Sequence, residues 1–173
     1  MTLLSPSGVP KWDEIPRGRD DSRAMFRGRF EHSIDGKGRL SVPAKFREVL
    51  QQRFDGDKNL VVVPNERCLE VHPMARWEQV EEQVRTGSMF DENLRELSRL
   101  YMSRAREVEI DNVGRVLLPP DSRQQAGLDR DVTLLGGGLM LFEVWDRRRF
   151  DEYERAVQHR LPDLFGQMTG RVV

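Results

Sequence analysis

A chain of 173 residues, 38% hydrophobic and 33% charged, has the composition of a soluble globular protein of one domain or two small ones. Its net charge of −1 excludes a uniformly basic surface, so a nucleic-acid role requires charge to be unevenly placed. The lone Cys68 excludes an intramolecular disulfide framework and suggests a reducing compartment. No apolar run reaches the roughly 18 residues that span a bilayer, and no signal-peptide core is present, so a cytoplasmic location is expected.

Residues 1–24 hold prolines, glycines and scattered charge without periodicity, which predicts a flexible N-terminal extension in which Trp12 and Ile15 offer docking groups. From Met25 the pattern sharpens. Phe30, His32 and Ile34 alternate with polar residues as in a strand that runs into a turn at Asp35-Gly36-Lys37-Gly38. Leu40 and Val42 alternate around Ser41, and Pro43 opens a short helix over 43–52 with Phe46, Val49 and Leu50 inward. Strands follow at Leu60–Val63 and around Leu69 and Val71. Pro73 opens a helix facing inward through Trp77, Val80 and Val84; Thr86-Gly87-Ser88 interrupts it, and Asp91 caps a second helix.

The order then recurs. Asp111-Asn112-Val113-Gly114-Arg115-Val116-Leu117-Leu118-Pro119 repeats Asp35-Gly36-Lys37-Gly38-Arg39-Leu40-Ser41-Val42-Pro43 at a spacing of 76 positions, from 35 to 111. A helix over 120–126 stops at Gly127, followed by strand Val132–Leu135, a turn at Gly136-Gly137-Gly138 and strand Leu139–Val144. Glu70-Val71-His72-Pro73 with Trp77 parallels Glu143-Val144-Trp145-Asp146 with Phe150 at a spacing of 73, from 70 to 143. The predicted organisation is an extension over 1–24, a first repeat over 29–76, a helical connector over 77–104, a second repeat over 105–148 and a C-terminal helix and tail over 149–173. Such a unit leaves open sheet edges, and two of them can pair across a pseudo-two-fold axis to close a barrel.

Charge is divided unequally between the copies. Residues 25–50 carry Arg27, Arg29, Lys37, Arg39, Lys45 and Arg47 against Glu31, Asp35 and Glu48, whereas Arg104, Arg106, Arg115 and Arg123 are balanced by Glu107, Glu109, Asp111 and Asp121. Within each loop Asp35 is expected to orient Arg39, and Asp111 Arg115, by a charge-assisted hydrogen bond, with Lys37 free at the tip and Gly38 and Gly114 shaping the turns.

Met25-Phe26-Arg27-Gly28 followed by Asp35-Gly36-Lys37-Gly38-Arg39-Leu40-Ser41-Val42-Pro43, the second Asp111-x-x-Gly114-Arg115, and Phe142-Glu143-Val144-Trp145-Asp146 resemble the bacterial MraZ family. The resemblance covers about Met25 to Glu154. It implies a mainly β fold with short helices, an α+β class in which two tandem AbrB/MazE-like swapped-hairpin repeats form a double-split β-barrel. It also implies a sequence-specific transcriptional regulator that binds short direct repeats of double-stranded DNA in the promoter of the division and cell-wall gene cluster. The resemblance further implies assembly as a homo-oligomeric ring, in the cytoplasm at the nucleoid. Family members usually begin at the residue matching Met25, so residues 1–24 are expected to be an extension or an upstream start choice, and the second copy departs from the pattern with Val113 in place of the loop lysine.

The family's Asp-x-x-x-Arg signature falls on Asp35 and Arg39 and again on Asp111 and Arg115. DNA contact is therefore expected of Arg39 with Lys37 at the loop tip, then of Arg115, which can instead hold the barrel together through Asp111. Arg27 and Arg29, flanking the first strand beside the loop, suit phosphate or a subunit interface equally. Lys45 and Arg47 are expected to face solvent. Arg147-Arg148-Arg149 opens a helix, where the macrodipole disfavours it, so a partner's acids or DNA are expected opposite. The three glycines at 136–138 lack the Lys-Ser/Thr and helix of a phosphate loop, and Cys68 with His72 lacks further metal ligands. No nucleophile–base set, carboxylate pair or cofactor motif suggests an enzyme. The alternative is an antitoxin-like interaction module that holds a partner protein with a terminal tail.

Overall fold

The computed structural model describes residues 25–169, so the expected extension over 1–24, with Trp12 and Ile15, lies outside them. β1 (Arg27–Ser33) enters the Asp35 turn and β2 (Arg39–Ser41) leaves it. Leu40 is buried and Ser41 exposed, the alternation of a half-buried strand. Pro43 caps α1 (Ala44–Arg53), which buries Phe46, Val49 and Leu50. The hairpin β3 (Asn59–Pro64) and β4 (Leu69–Pro73) follows, then α2 (Met74–Thr86) and α3 (Glu92–Leu100). As expected, Asp91 caps α3, accepting from the amides of Asn93 and Leu94 at 3.0 and 3.3 Å.

The second half is β5 (Arg106–Glu109), β6 (Arg115–Leu117), α4 (Pro120–Gln125), β7 (Asp131–Gly137) and β8 (Phe142–Asp146), closed by α5 (Arg147–Val157) and α6 (Leu161–Thr169). The class is mixed α+β, with antiparallel strands and short helices. Six strands run in the order β1-β7-β8-β4-β3-β5, and β2 pairs with β6 in a separate two-stranded ribbon. The first strand of each half therefore pairs with the hairpin of the other, β1 with β7 and β5 with β3. Among the described residues no ladder joins β1 to β5, so hydrogen bonding does not close the sheet into a barrel.

The registers are symmetric. Glu70 faces Glu143 at the centre of β4–β8, and Leu40 faces Val116 at the centre of β2–β6, so equivalent positions meet on a pseudo-two-fold axis. Opposed glutamates repel unless held. Glu70 accepts from the Asn65 side chain at 2.9 Å, from His72 Nε2 at 3.1 Å and from the Tyr101 hydroxyl, while Glu143 accepts from Trp145 Nε1 at 2.8 Å. Burial alone would raise the Glu70 pKa, but these donors outweigh it and the carboxyl sits below its usual range. Tyr101 thereby ties the end of the helical connector to the middle of the sheet.

One core serves both halves. Phe26, Phe46 and Phe142 cluster with ring centroids 4.9–5.4 Å apart, packed with Leu40, Val116 and Leu118. Phe46 and Ser122 are equivalent residues and both are buried, so a single phenyl ring serves where strict symmetry would place two.

The glycine run departs from expectation. Gly136 and Gly137 belong to β7, opposite Gly28 and Arg27, and β8 begins only at Phe142. The reason is close approach: a Cβ on Gly136 would lie 2.4 Å from the Phe26 carbonyl carbon and 2.4 Å from the Arg27 nitrogen. The run is neither a turn over 136–138 nor a phosphate cradle. It is the seat of the exchanged first strand. Gly136→Ala is expected to destabilise the chain by about 1–3 kcal/mol, lowering the Tm by several degrees in a thermal melt. Gly137→Ala, with nothing within 4 Å of its added carbon, is the control that should melt near wild type.

Candidate nucleic-acid interface

Each Asp loop is built by one carboxylate. Asp35 Oδ1 accepts from the backbone amides of Lys37 and Arg39, both at 2.9 Å, and Oδ2 accepts from Arg39 Nε at 2.7 Å. The Gly38 amide donates to the Asp35 carbonyl at 2.9 Å, and Gly38 takes φ +83°, the left-handed region open to glycine. The second loop repeats this. Asp111 Oδ1 accepts from the amides of Val113 and Arg115 at 3.0 and 2.9 Å, Oδ2 from Arg115 Nε at 3.0 Å, and Gly114 sits at φ +84°.

The two loops also brace each other. The Val42 amide donates to the Gly114 carbonyl and the Leu118 amide to the Gly38 carbonyl, both at 2.9 Å. Between them lies the β2–β6 ribbon. Leu40 and Val116 are buried beneath it, which leaves Arg39, Ser41, Arg115 and Leu117 on the other face. The Arg39 and Arg115 side chains keep 32% and 33% of their surface exposed, so both Asp–Arg corners open to solvent. Lys37 is exposed at the first tip, and Val113 at the second is 66% exposed.

Two further cations converge here that sequence reasoning set aside. Arg47 of α1 is exposed, as expected, and also makes contacts that its own helix does not reveal: its Nε donates to the Val42 carbonyl at 3.3 Å and its guanidinium lies on Gly114 of the opposite repeat. Arg123 of α4 mirrors it, donating to the Leu118 carbonyl at 3.3 Å and lying on Gly38. The signal was available, because 47 and 123 are also 76 positions apart.

The remaining basic residues divide. Arg27 is exposed at the start of β1, where its side chain reaches the Met25 sulfur, 3.7 Å away. Arg29 is committed within the chain: it binds Asp151 at 2.7 Å and Glu154 at 3.0 Å and lies 5.0 Å above the Phe150 ring. The basic run at the start of α5 does not require a partner's acids. Asp146 caps the helix, Arg147 approaches Glu31 at 3.8 Å, and Arg149 donates to the carbonyls of Ala126 and Glu66 at 2.9 and 2.8 Å. Among the described residues no group of three His, Cys, Asp or Glu is arranged to hold a metal ion.

The Asp35 carboxyl is held down to about 2, chiefly by the Arg39 amide and then by the Arg39 guanidinium and the Lys37 amide; Asp111 is lowered for the corresponding reasons. A depressed carboxylate stabilises the folded loop above its unfolded pKa of about 3.9, and that contribution is lost as pH falls through the folded value. The amide resonances of Lys37 and Arg39, which donate to the Asp35 carboxylate, are therefore expected to titrate together with a midpoint near 2. A midpoint near 4 would show that the amide and guanidinium bonds do not form.

The chain matches the family described as "MraZ protein, putative antitoxin-like" over residues 25–100 and again over 101–169. Among its relatives, a Transcriptional regulator MraZ from Syntrophobacter fumaroxidans is 41% identical over 148 residues, covering 86% of this chain and 97% of the relative. A protein of the same name from Nitrosospira multiformis is 40% identical over 79% of this chain and 92% of its own length. Another from Desulfitobacterium hafniense (strain Y51) is 40% identical over 78% of this chain and 90% of its own. With both halves matched and the repeated Asp–Arg loops in place, the chain belongs to the MraZ family, whose name these three transcriptional regulators carry.

Proposed function

We propose that this chain is a sequence-specific DNA-binding transcriptional regulator that docks the β2–β6 ribbon and its two Asp loops against a duplex. The carrying observation is that one face of this ribbon presents two guanidiniums, each fixed in direction by its own carboxylate. A two-stranded ribbon fits the major groove, and arginine is suited to paired hydrogen bonds with guanine O6 and N7. Lys37 supplies a phosphate contact, and Leu117, 58% exposed between the arginines, an apolar surface for a thymine methyl. Arg39 and Lys37 lead, Arg115 and Arg27 assist, and Arg29, already paired with Asp151 and Glu154, is left out of the contact set.

The target is a set of short direct repeats in the promoter of the division and cell-wall gene cluster. The crossed pairing of β1 and β5 supports the swapped-hairpin arrangement of the AbrB/MazE fold. Assembly into a ring is supported by apolar side chains at the surface, Phe90 and Leu100 beside α3 and Phe165 and Met168 on α6, all more than half exposed. Several loop sets on one ring would engage several repeats at high effective concentration and place the protein on the nucleoid.

Arg39→Ala is expected to remove an interaction worth about 1–3 kcal/mol at every docked loop, abolishing the specific mobility shift on the chain's own upstream DNA while leaving the oligomer intact on a sizing column. An unchanged shift rejects the assignment. Binding by wild type should also fall steeply with salt, its log–log slope steepening by about 0.9 for each phosphate contacted. A flat salt response counts against docking of this kind.

A further inference from the structure

We propose that each repeat lends a helix arginine to the loop of the other as a phosphate clamp, Arg123 over the Lys37–Arg39 loop and Arg47 over the Val113–Arg115 loop. The inference rests on the DNA-docking function proposed above and extends it to two residues outside the Asp–Arg motif. A Cβ on Gly38 would sit 3.0 Å from Arg123 Nη2 and 3.2 Å from its Cζ; on Gly114 it would sit 2.9 Å from Arg47 Cζ and 3.0 Å from its Nε. The glycines thus serve a second purpose besides their positive φ, giving a guanidinium flat backbone on which to lie. Each Nε is anchored to a carbonyl of its own repeat, Val42 or Leu118. The side chain is thereby held across the junction of the repeats. Among the described residues the Nη groups have no acceptor, and neither Arg47 nor Arg123 forms an ion pair.

The missing counter-charge sets these arginines apart from Arg39 and Arg115. The motif arginines are neutralised by Asp35 and Asp111, so at long range each Asp–Arg corner attracts phosphate weakly. Among the described residues, Lys37, Arg47 and Arg123 stand by the ribbon's loops without a carboxylate partner. The placement is reciprocal and carries an unexpected consequence. Arg123 belongs to the repeat whose charges cancel, yet it stands over the loop of the electropositive repeat, next to Lys37 and Arg39. Arg47 stands over the loop that has Val113 at its tip. Removal of Arg123 should therefore weaken DNA binding more than removal of Arg47.

The test titrates the full-length chain against a duplex from upstream of its own gene, and against a scrambled duplex of equal length, at several salt concentrations. Arg123→Ala is expected to weaken binding about tenfold or more and to flatten the salt slope by about 0.9 for each phosphate no longer neutralised; Arg47→Ala should do the same to a smaller extent. Arg123→Lys should recover the slope, since it restores the charge, which a purely structural arginine would not require. Should Arg123→Ala melt below the assay temperature, Arg123→Gln is measured in its place with the same expectation. An unchanged slope in Arg123→Ala or Arg123→Gln, with specific binding still abolished in Arg39→Ala, overturns the clamp and leaves the DNA-docking function standing. Full specific binding by Arg39→Ala overturns the docking geometry itself, and the clamp with it.

Discussion

Neither repeat can satisfy its own first strand, and this constraint shapes the molecule. β1 finds its partner in β7 and β5 in β3, so each half completes a sheet edge that the other leaves open. The exchange requires the chain to pass twice between the halves, and at those crossings β2 and β6 meet with Leu40 against Val116. The loops preceding these two strands are consequently fixed against each other by bonds from Val42 to Gly114 and from Leu118 to Gly38. The placement of the ribbon and its two loops is thus a product of folding itself.

Charge placement follows the same logic. The chain carries nearly equal acid and base, yet several of its acids are stationed where they order arginine or withdraw it. Asp35 and Asp111 aim their arginines, while Asp151 and Glu154 hold Arg29 against α5, away from the ribbon. Carboxyls that accept two amides and a guanidinium remain ionised at any physiological pH, so the aim of Arg39 and Arg115 does not change with protonation. Lys37, Arg47 and Arg123, with no carboxylate against them among the described residues, gather beside the ribbon. A nearly neutral protein can present a local positive surface in this way, with its long-range field small and its short-range contacts strong.

Much of this was legible in the sequence because local patterns and tertiary demands agree. The turn at Asp35, the helix opened by Pro43, the cap at Asp91 and the internal repeat all depend on residues close together in the chain. What escaped depends on contacts between repeats. Gly136 and Gly137 look like a turn until β1 is laid across them, and only then does the absence of a side chain acquire its steric meaning. Arg47 looks solvated on its own helix because the groups it touches, the Val42 carbonyl and Gly114, are brought to it by the crossing chain. Arg149 reads as misplaced charge at a helix start until the carbonyls of Ala126 and Glu66 converge on it from two loops. The spacing of 76 that revealed the Asp loops also paired Arg47 with Arg123, so that part was present in the sequence and needed only to be followed further.

The divergence of the two copies bears on the kind of site such a surface suits. A strictly two-fold ribbon would present the same groups in both directions and would match a palindrome, since operator symmetry mirrors protein symmetry. Here the symmetry holds for the backbone and fails for the side chains. Lys37 faces the solvent at one loop tip and Val113 at the other, and Phe46 is answered by Ser122 in the core beneath. The ribbon therefore has a direction, with a more cationic end and a more apolar one. A surface with direction suits a contact sequence that is not itself palindromic. Under the function proposed above, protomers set down in one orientation would each read one copy of a short sequence, which is the pattern of a direct repeat.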